Sequence, residues 1–260
     1  MPVTIGKGWN WIAYTPLTTM TLGQALASAN PKVGDQVKSQ TGFAYFGSNG
    51  WEGNLEALES GHGYLYHSVD TAMQKQFVYP TVAAAMARGP RSGASSAARR
   101  AASAFTPVEP TDYPDNMAVV LQLTDGGTPV TDAEVAAFID GECRGTAFAA
   151  DEGDLYYLLV AGEGSGQPME LRASINGAIL TLCTTLTYTS DASIGTPWEP
   201  LVIDINGPSG VTTVGVQMVD GVWYTLQGMR YGTTRPTTPG VYLYNGQKVV
   251  VRRRAASPGE

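Results

Sequence analysis

The feature that most constrains this chain lies in its middle. Over residues 110–206, short runs of alternating apolar and polar residues are separated by Gly- and Asp-containing turns at spacings near ten residues. The runs are NMAVVLQLT, AEVAAFI, ECRGTAFA, LYYLLVA, MELRASI, AILTLCTTLTY and PLVIDI, and the turns include Asp125-Gly126-Gly127, Asp140-Gly141 and Asn176-Gly177. A period of two sends successive side chains to opposite faces of a strand, and Asp-Gly or Asn-Gly supplies the positive φ angles of tight hairpins. Seven such strands in roughly one hundred residues predict an immunoglobulin-like β-sandwich.

Residues 1–80 read as a separate small β-rich module. GWNWIAY (8–14), DQVKSQTGFAYF, WEGNLEAL and YLYHS are strand-like and punctuated by the Gly-rich turns GSNG and ESGHG. MTLGQALASANP (20–31) predicts one short helix, with Thr21 as N-cap, Leu22 and Leu26 on one face, and Asn30-Pro31 as its stop. Residues 81–109, rich in Ala, Ser and Arg, predict a linker. Residues 211–252 predict a short C-terminal β segment of about three strands with an Asn245-Gly246 hairpin turn. The fold class expected is therefore mainly β throughout.

Charge is distributed unevenly. Residues 106–206 carry two arginines against sixteen acids, whereas residues 81–105 carry four arginines and no acid. Phosphate binding needs clustered Lys and Arg, so nucleic acid is excluded as a partner of the acidic body. No run approaches the eighteen or more apolar residues of a membrane span. Met1-Pro2-Val3 leads straight into strand-like sequence, with no signal-peptide pattern.

The chemistry-bearing residues are few, and no catalytic residue is predicted. His62 and His67 are the only histidines; they lack a metal-ligand spacing and no G-x-S-x-G elbow accompanies them. GEGSG (162–166) has no following helix and predicts a hairpin connection rather than a phosphate loop. Asp140–Glu142 and Asp151–Asp154 place oxygen donors in turns. Ca²⁺ is the metal such acids would take, but no calcium-loop motif supports it, so no cofactor is expected. Cys143 and Cys183, forty residues apart, are compatible with a disulfide and equally with two buried thiols.

Trp9 and Trp11 flank Asn10 and so face one side of a strand. A small β module is short of core material, and aromatics bury the most area per residue, so the set Trp9, Trp11, Trp51, Tyr64 and Tyr66 is expected mainly as core. The competing reading makes Trp9, Trp11, Trp51 and Tyr64 a ligand-binding platform, with Trp51 beside the SNG turn the best placed. The two readings separate on exposure: a spacer buries all three tryptophans, and a glycan-stacking module leaves at least one open.

GWNWIAY with GHGYLYHS, the GECRG-containing sandwich sequence, and WYTLQGMRYGTTRPTTPGVYLYNGQKVVVR together resemble the C-terminal modules of secreted and cell-surface proteins of Bacteroidetes. The last stretch is similar to type IX secretion sorting segments, with Gln227-Gly228-Met229-Arg230 where that pattern has Asp-Gly-Arg-Lys. The resemblance implies the C-terminal part of a longer exported precursor, located outside the cell or on its outer surface, and handled by export machinery through the C-terminal segment. It implies no enzymatic activity. The expected role is structural display, or, in the alternative, a carbohydrate-binding module or adhesin whose partner is a glycan or surface protein.

Overall fold

The computed structural model describes residues 2–71, 74–81, 103–150 and 153–206, with the backbone alone at 183–185. Of the remainder it describes 213–214, 223–225, 230–232, 234–236, 240–244 and 247–251. The chain is mainly β and divides into two compact units, 1–212 and 213–260.

In the N-terminal module the strands are β1 (Pro2–Ile5), β2 (Gly8–Ala13), β3 (Met20–Thr21), β4 (Gln36–Lys38), β5 (Phe43–Gly47), β6 (Gly50–Gly53), β7 (Ala57–Leu58), β8 (Gly63–Ser68) and β9 (Lys75–Val78). Five of them form an antiparallel sheet in the order β2-β8-β4-β5-β6, while β1 pairs with β9 and β3 with β7. Helix α1 (Leu22–Ala25) starts where the sequence predicts. The Thr21 hydroxyl accepts from Gln24 N–H, and the Gln24 side chain returns a bond to Thr21 N–H. A short 3₁₀ turn over Ala27–Ala29 follows and ends on Asn30 in the left-handed region. Leu22, Ala25 and Leu26 bury against Ile12, Tyr14, Val37, Tyr64, Tyr66 and Phe77, which completes the core on the sheet's inner face.

All seven runs of the middle region are strands. They are part of the series β10 (Asp115–Asp125), β11 (Thr128–Pro129), β12 (Glu134–Ile139), β13 (Glu142–Phe148), β14 (Leu155–Gly162), β15 (Ser165–Ile175), β16 (Ala178–Thr189), β17 (Ser193–Ile194) and β18 (Leu201–Asp204). One sheet is built on β10, which pairs antiparallel with β14 on one edge and parallel with β17 and β18 on the other. The second has the order β13-β12-β15-β16. Alternate residues Met117, Val119, Leu121 and Leu123 of β10 face Val135, Ala137 and Ile139 of β12 and Met169, Leu171 and Ala173 of β15, which makes the β-sandwich core.

Two expectations change here. GEGSG is not a hairpin: β14 belongs to one sheet and β15 to the other, so these residues carry the chain across the sandwich. The expected linker over 81–109 also ends early. Residues 82–102 lie outside the described residues, but Phe105 is buried on Ala136 and Cys143, and Val108 N–H donates to Cys143 O at 2.9 Å. Residues 103–109 are thus part of the sandwich.

The GECRG motif is accounted for locally. Asp140 and Gly141 have φ of +51° and +81°, the consecutive positive values of a tight β12–β13 hairpin. Arg144 pairs with Glu142 at 2.8 Å and lies over the Tyr113 ring at 4.1 Å. At Gly145 a Cβ would stand 2.0 Å from Leu159 O, so only glycine lets β13 approach the backbone of the opposite sheet.

In the second unit, β19 (Thr213–Val214) precedes β20 (Trp223–Thr225), β21 (Arg230–Gly232), β22 (Gly240–Tyr244) and β23 (Gln247–Val251). The last four form an antiparallel sheet in the order β21-β20-β22-β23, with Trp223, Tyr242 and Val251 buried together. The expected Asn245-Gly246 turn lies outside the described residues. Among the described residues no helix is long and apolar enough to cross a membrane.

Candidate functional site

The five-stranded sheet has an inner face against α1 and an outer face that is only half covered. Strand registers place Trp9 opposite His67, and His67 opposite Gln36, which lies opposite Tyr45; in the next row run Trp11, Leu65, Lys38 and Phe43. These eight side chains share the outer face.

The β4–β5 half is sealed by the sandwich. Phe43 and Tyr45 pack on Ala118 and Val120, the residues of β10 that point away from the sandwich core, and on Tyr157. Asn54 Nδ2 donates to Tyr157 O at 3.0 Å, Asn116 Nδ2 to Ser39 O at 3.1 Å, and Ser193 Oγ to Gln36 Oε1 at 3.1 Å. Lys38 crosses the same junction. Its side chain is 0% exposed, and Nζ lies 3.1 Å from Asp191 Oδ1, 3.4 Å from Asn116 O and 4.6 Å from the centroid of Trp9. Burial pushes the Lys38 pKa below its ordinary value, although the hydrogen bond and charge of Asp191 pull the other way.

The β2–β8 half is open, and this is where the tryptophans of GWNWIAY stand. Trp9 is 37% and Trp11 80% exposed. Their expected placement in the core is therefore wrong, although the alternation that put both on one side is right. The inner side of β2 is taken by Ile12 and by Asn10, whose polarity suggests surface. Asn10 instead ties the strand's entrance: Nδ2 donates to Gly6 O and Gly8 O at 2.7 Å, and Oδ1 accepts from Gly6 N–H at 2.8 Å. Leu22, Leu26, Tyr14 and Phe77 supply enough apolar volume that the tryptophans are not needed inside.

The four candidate platform residues have different surroundings. Tyr64 is a core residue, with its hydroxyl accepting from Glu59 N–H at 2.8 Å. Trp51 is half-buried on the inner side, edge-on to Phe46 and Tyr66. Trp9 has Lys38 over its ring and His67 edge-on at 4.9 Å. Trp11 alone presents an unoccupied indole. His67 is half-buried, and desolvation lowers its pKa, so its ring is neutral at neutral pH. Lys38 and Asp191 were not singled out by sequence. Lys38 is one of only four lysines in residues 1–80, a weak signal, and nothing local marks an aspartate 153 residues away as its partner.

Of the two alternatives left open for Cys143 and Cys183, the disulfide is not formed. Cys143 is a buried free thiol on β13, and Cys183 lies on β16, three strand positions away across the β13-β12-β15-β16 sheet. With strands about 4.8 Å apart, their Cα atoms are separated by roughly 14 Å, far beyond the ~7 Å limit of a disulfide. Among the described residues no group of three or more His, Cys, Asp and Glu could hold a metal. Asp151 and Glu152 lie outside the described residues. No family model, no curated protein and no solved structure matches the chain.

Proposed function

We propose that the chain is a non-enzymatic exported or cell-surface protein whose N-terminal module binds a glycan, held in place by the sandwich. Trp11 carries this reading. An indole 80% exposed on a sheet face, two residues along the strand from a second tryptophan on the same side, is an arrangement that stacks on the apolar face of a sugar ring. The C-terminal unit is assigned to export or anchoring, on the strength of its sequence resemblance to sorting segments.

The test is a glycan array with the intact chain beside Trp11→Ala. Loss of a central aromatic anchor costs about 2 kcal/mol, or ~30-fold in affinity. Saturable binding that falls by that factor in the variant supports the reading. Absence of binding, or binding indifferent to Trp11, refutes it and returns the module to a display role.

A further inference from the structure

We propose that the ligand of this face is an uncharged glycan chain lying side-on across Trp11, and that Asp191 of the sandwich reads its hydroxyls. This rests on the glycan reading above and adds a ligand class and a second recognition residue.

The charge inventory of the open half points to a neutral ligand. Strands β2 and β8 carry no Lys or Arg, and the cation beside them, Lys38 on β4, has no exposed side-chain surface and is already engaged by Asp191, Asn116 O and the Trp9 ring. His67 is held neutral by desolvation. Asp191 is 48% exposed through its side chain, and Asp115 stands behind it, accepting from Ser190 Oγ at 2.8 Å. Both belong to the acidic body of residues 106–206. A uronate, sulfate or sialate laid on Trp11 would approach carboxylates with no exposed strand-borne cation to meet it. Lys7, in the bend before β2, is the nearest cation in sequence to the platform and is included in the test.

Asp191 is built to accept hydrogen bonds. It sits in the left-handed region at φ +61°, and its N–H donates to Asn116 O at 3.0 Å, which fixes the turn. Oδ1 is held by Lys38, while Oδ2 has no hydrogen bond among the described residues. The carboxylate is thus immobilised with one oxygen free, and Lys38 Nζ bridges it to the Trp9 ring. Sugar hydroxyls are donors, and charge-assisted bonds to a pre-oriented acceptor are the strong kind. Because Lys38 and His67 occupy Trp9, only Trp11 offers a stacking face. One stacking position on an open sheet, without an enclosing pocket, suits the flank of a chain rather than its end.

The experiment is affinity electrophoresis of the intact protein in two sets of soluble polysaccharides. The neutral set is β-glucan, mannan and xylan; the anionic set is polygalacturonate, heparin and sialylated mucin. Wild type is run with Trp11→Ala, Asp191→Asn, Lys7→Ala and the double variant Lys38→Met/Asp191→Asn, each checked for a cooperative melt. The expected result is Trp11-dependent retardation by a neutral polysaccharide, weakened about tenfold by Asp191→Asn, the loss of one charge-assisted bond. The double variant, which leaves no unpaired lysine, is expected to bind as weakly as Asp191→Asn. Trp11-dependent binding confined to the anionic set, abolished by Lys7→Ala or not, overturns the inference and leaves the glycan reading standing. Neutral binding indifferent to both Asp191 variants removes Asp191 from recognition. Retardation by neither set overturns inference and reading together.

Discussion

Lys38 and Asp191 form an ion pair whose partners are unequally immersed, and the inequality fixes the order in which their loss is felt. The Lys38 side chain is wholly buried, whereas 48% of the Asp191 side chain meets water. Asp191→Asn leaves the buried ammonium without a counter-charge, facing only neutral acceptors: the amide oxygen, Asn116 O and the Trp9 ring. A fully buried pair broken in this way costs 3–5 kcal/mol; an exposed partner admits water and lowers the figure to about 2 kcal/mol. Lys38→Met removes the buried charge, fills most of the same volume and leaves a carboxylate that water solvates, so it costs less than about 1 kcal/mol. The double variant lies near Lys38→Met, so the cycle shows strong coupling. Urea unfolding followed by tryptophan fluorescence reads the midpoints, at unchanged slope. The sign of the pH dependence follows. In Asp191→Asn the Lys38 pKa falls further below its unfolded value of 10.5, so the unfolded state binds more protons in that window and stability rises with pH. The Asp191→Asn penalty therefore shrinks as pH rises toward the unfolded value of 10.5. A Lys38→Met variant at least as destabilised as Asp191→Asn, or a penalty that grows with pH, would refute this reasoning.

Gly145→Ala is expected to destabilise the 1–212 unit by about 3 kcal/mol, the upper end for overpacking, because the clash at 2.0 Å is with strand backbone that cannot rotate away. A melting temperature within a degree of wild type would contradict the close approach of β13 and β14. Alkaline titration offers a third check. Burial raises the hydroxyls of Tyr79, Tyr156, Tyr157 and Tyr188 to about 12. Above pH 10 the unfolded chain ionises and the folded one does not, so stability falls as pH rises toward 12. Tyrosinate absorbance should lag for these four and then jump with loss of near-ultraviolet dichroism; smooth ionisation at pH 10 in the folded state would count against their burial.

Strands were legible from sequence wherever a turn residue and a period-two pattern coincided: the seven runs of 110–206 and the capped helix at Thr21 are local features. What could not be read locally was which side of a strand faces in. Period two puts Trp9 and Trp11 together, but the choice of face depends on how much apolar volume arrives from α1 and β9, which is a global sum. Connectivity failed for the same reason. GEGSG looks like any hairpin turn, and only the partners of β14 and β15, set by β10 and β12, send it across the sandwich. The state of Cys143 and Cys183 stayed open because spacing along a chain says nothing of strand order. Lys38 and Asp191 meet only through the packing of the module on the sandwich, and no motif announces that.

Strand β10 faces apolar neighbours on both sides: the sandwich core on one, Phe43 and Tyr45 on the other. During synthesis this sets a waiting period. The N-terminal module emerges with Phe43, Tyr45 and Lys38 bare, and its covering surface is complete only after Asp191 and Ser193 have been made, some 150 residues later. At 5–20 residues per second the interval is on the order of ten seconds, long compared with the folding of a small β module. Through that interval Phe43 and Tyr45 lack the surface of Ala118, Val120 and Tyr157 that finally covers them. The β4–β5 half of the sheet, which the sandwich finally seals, must first be kept from neighbouring chains.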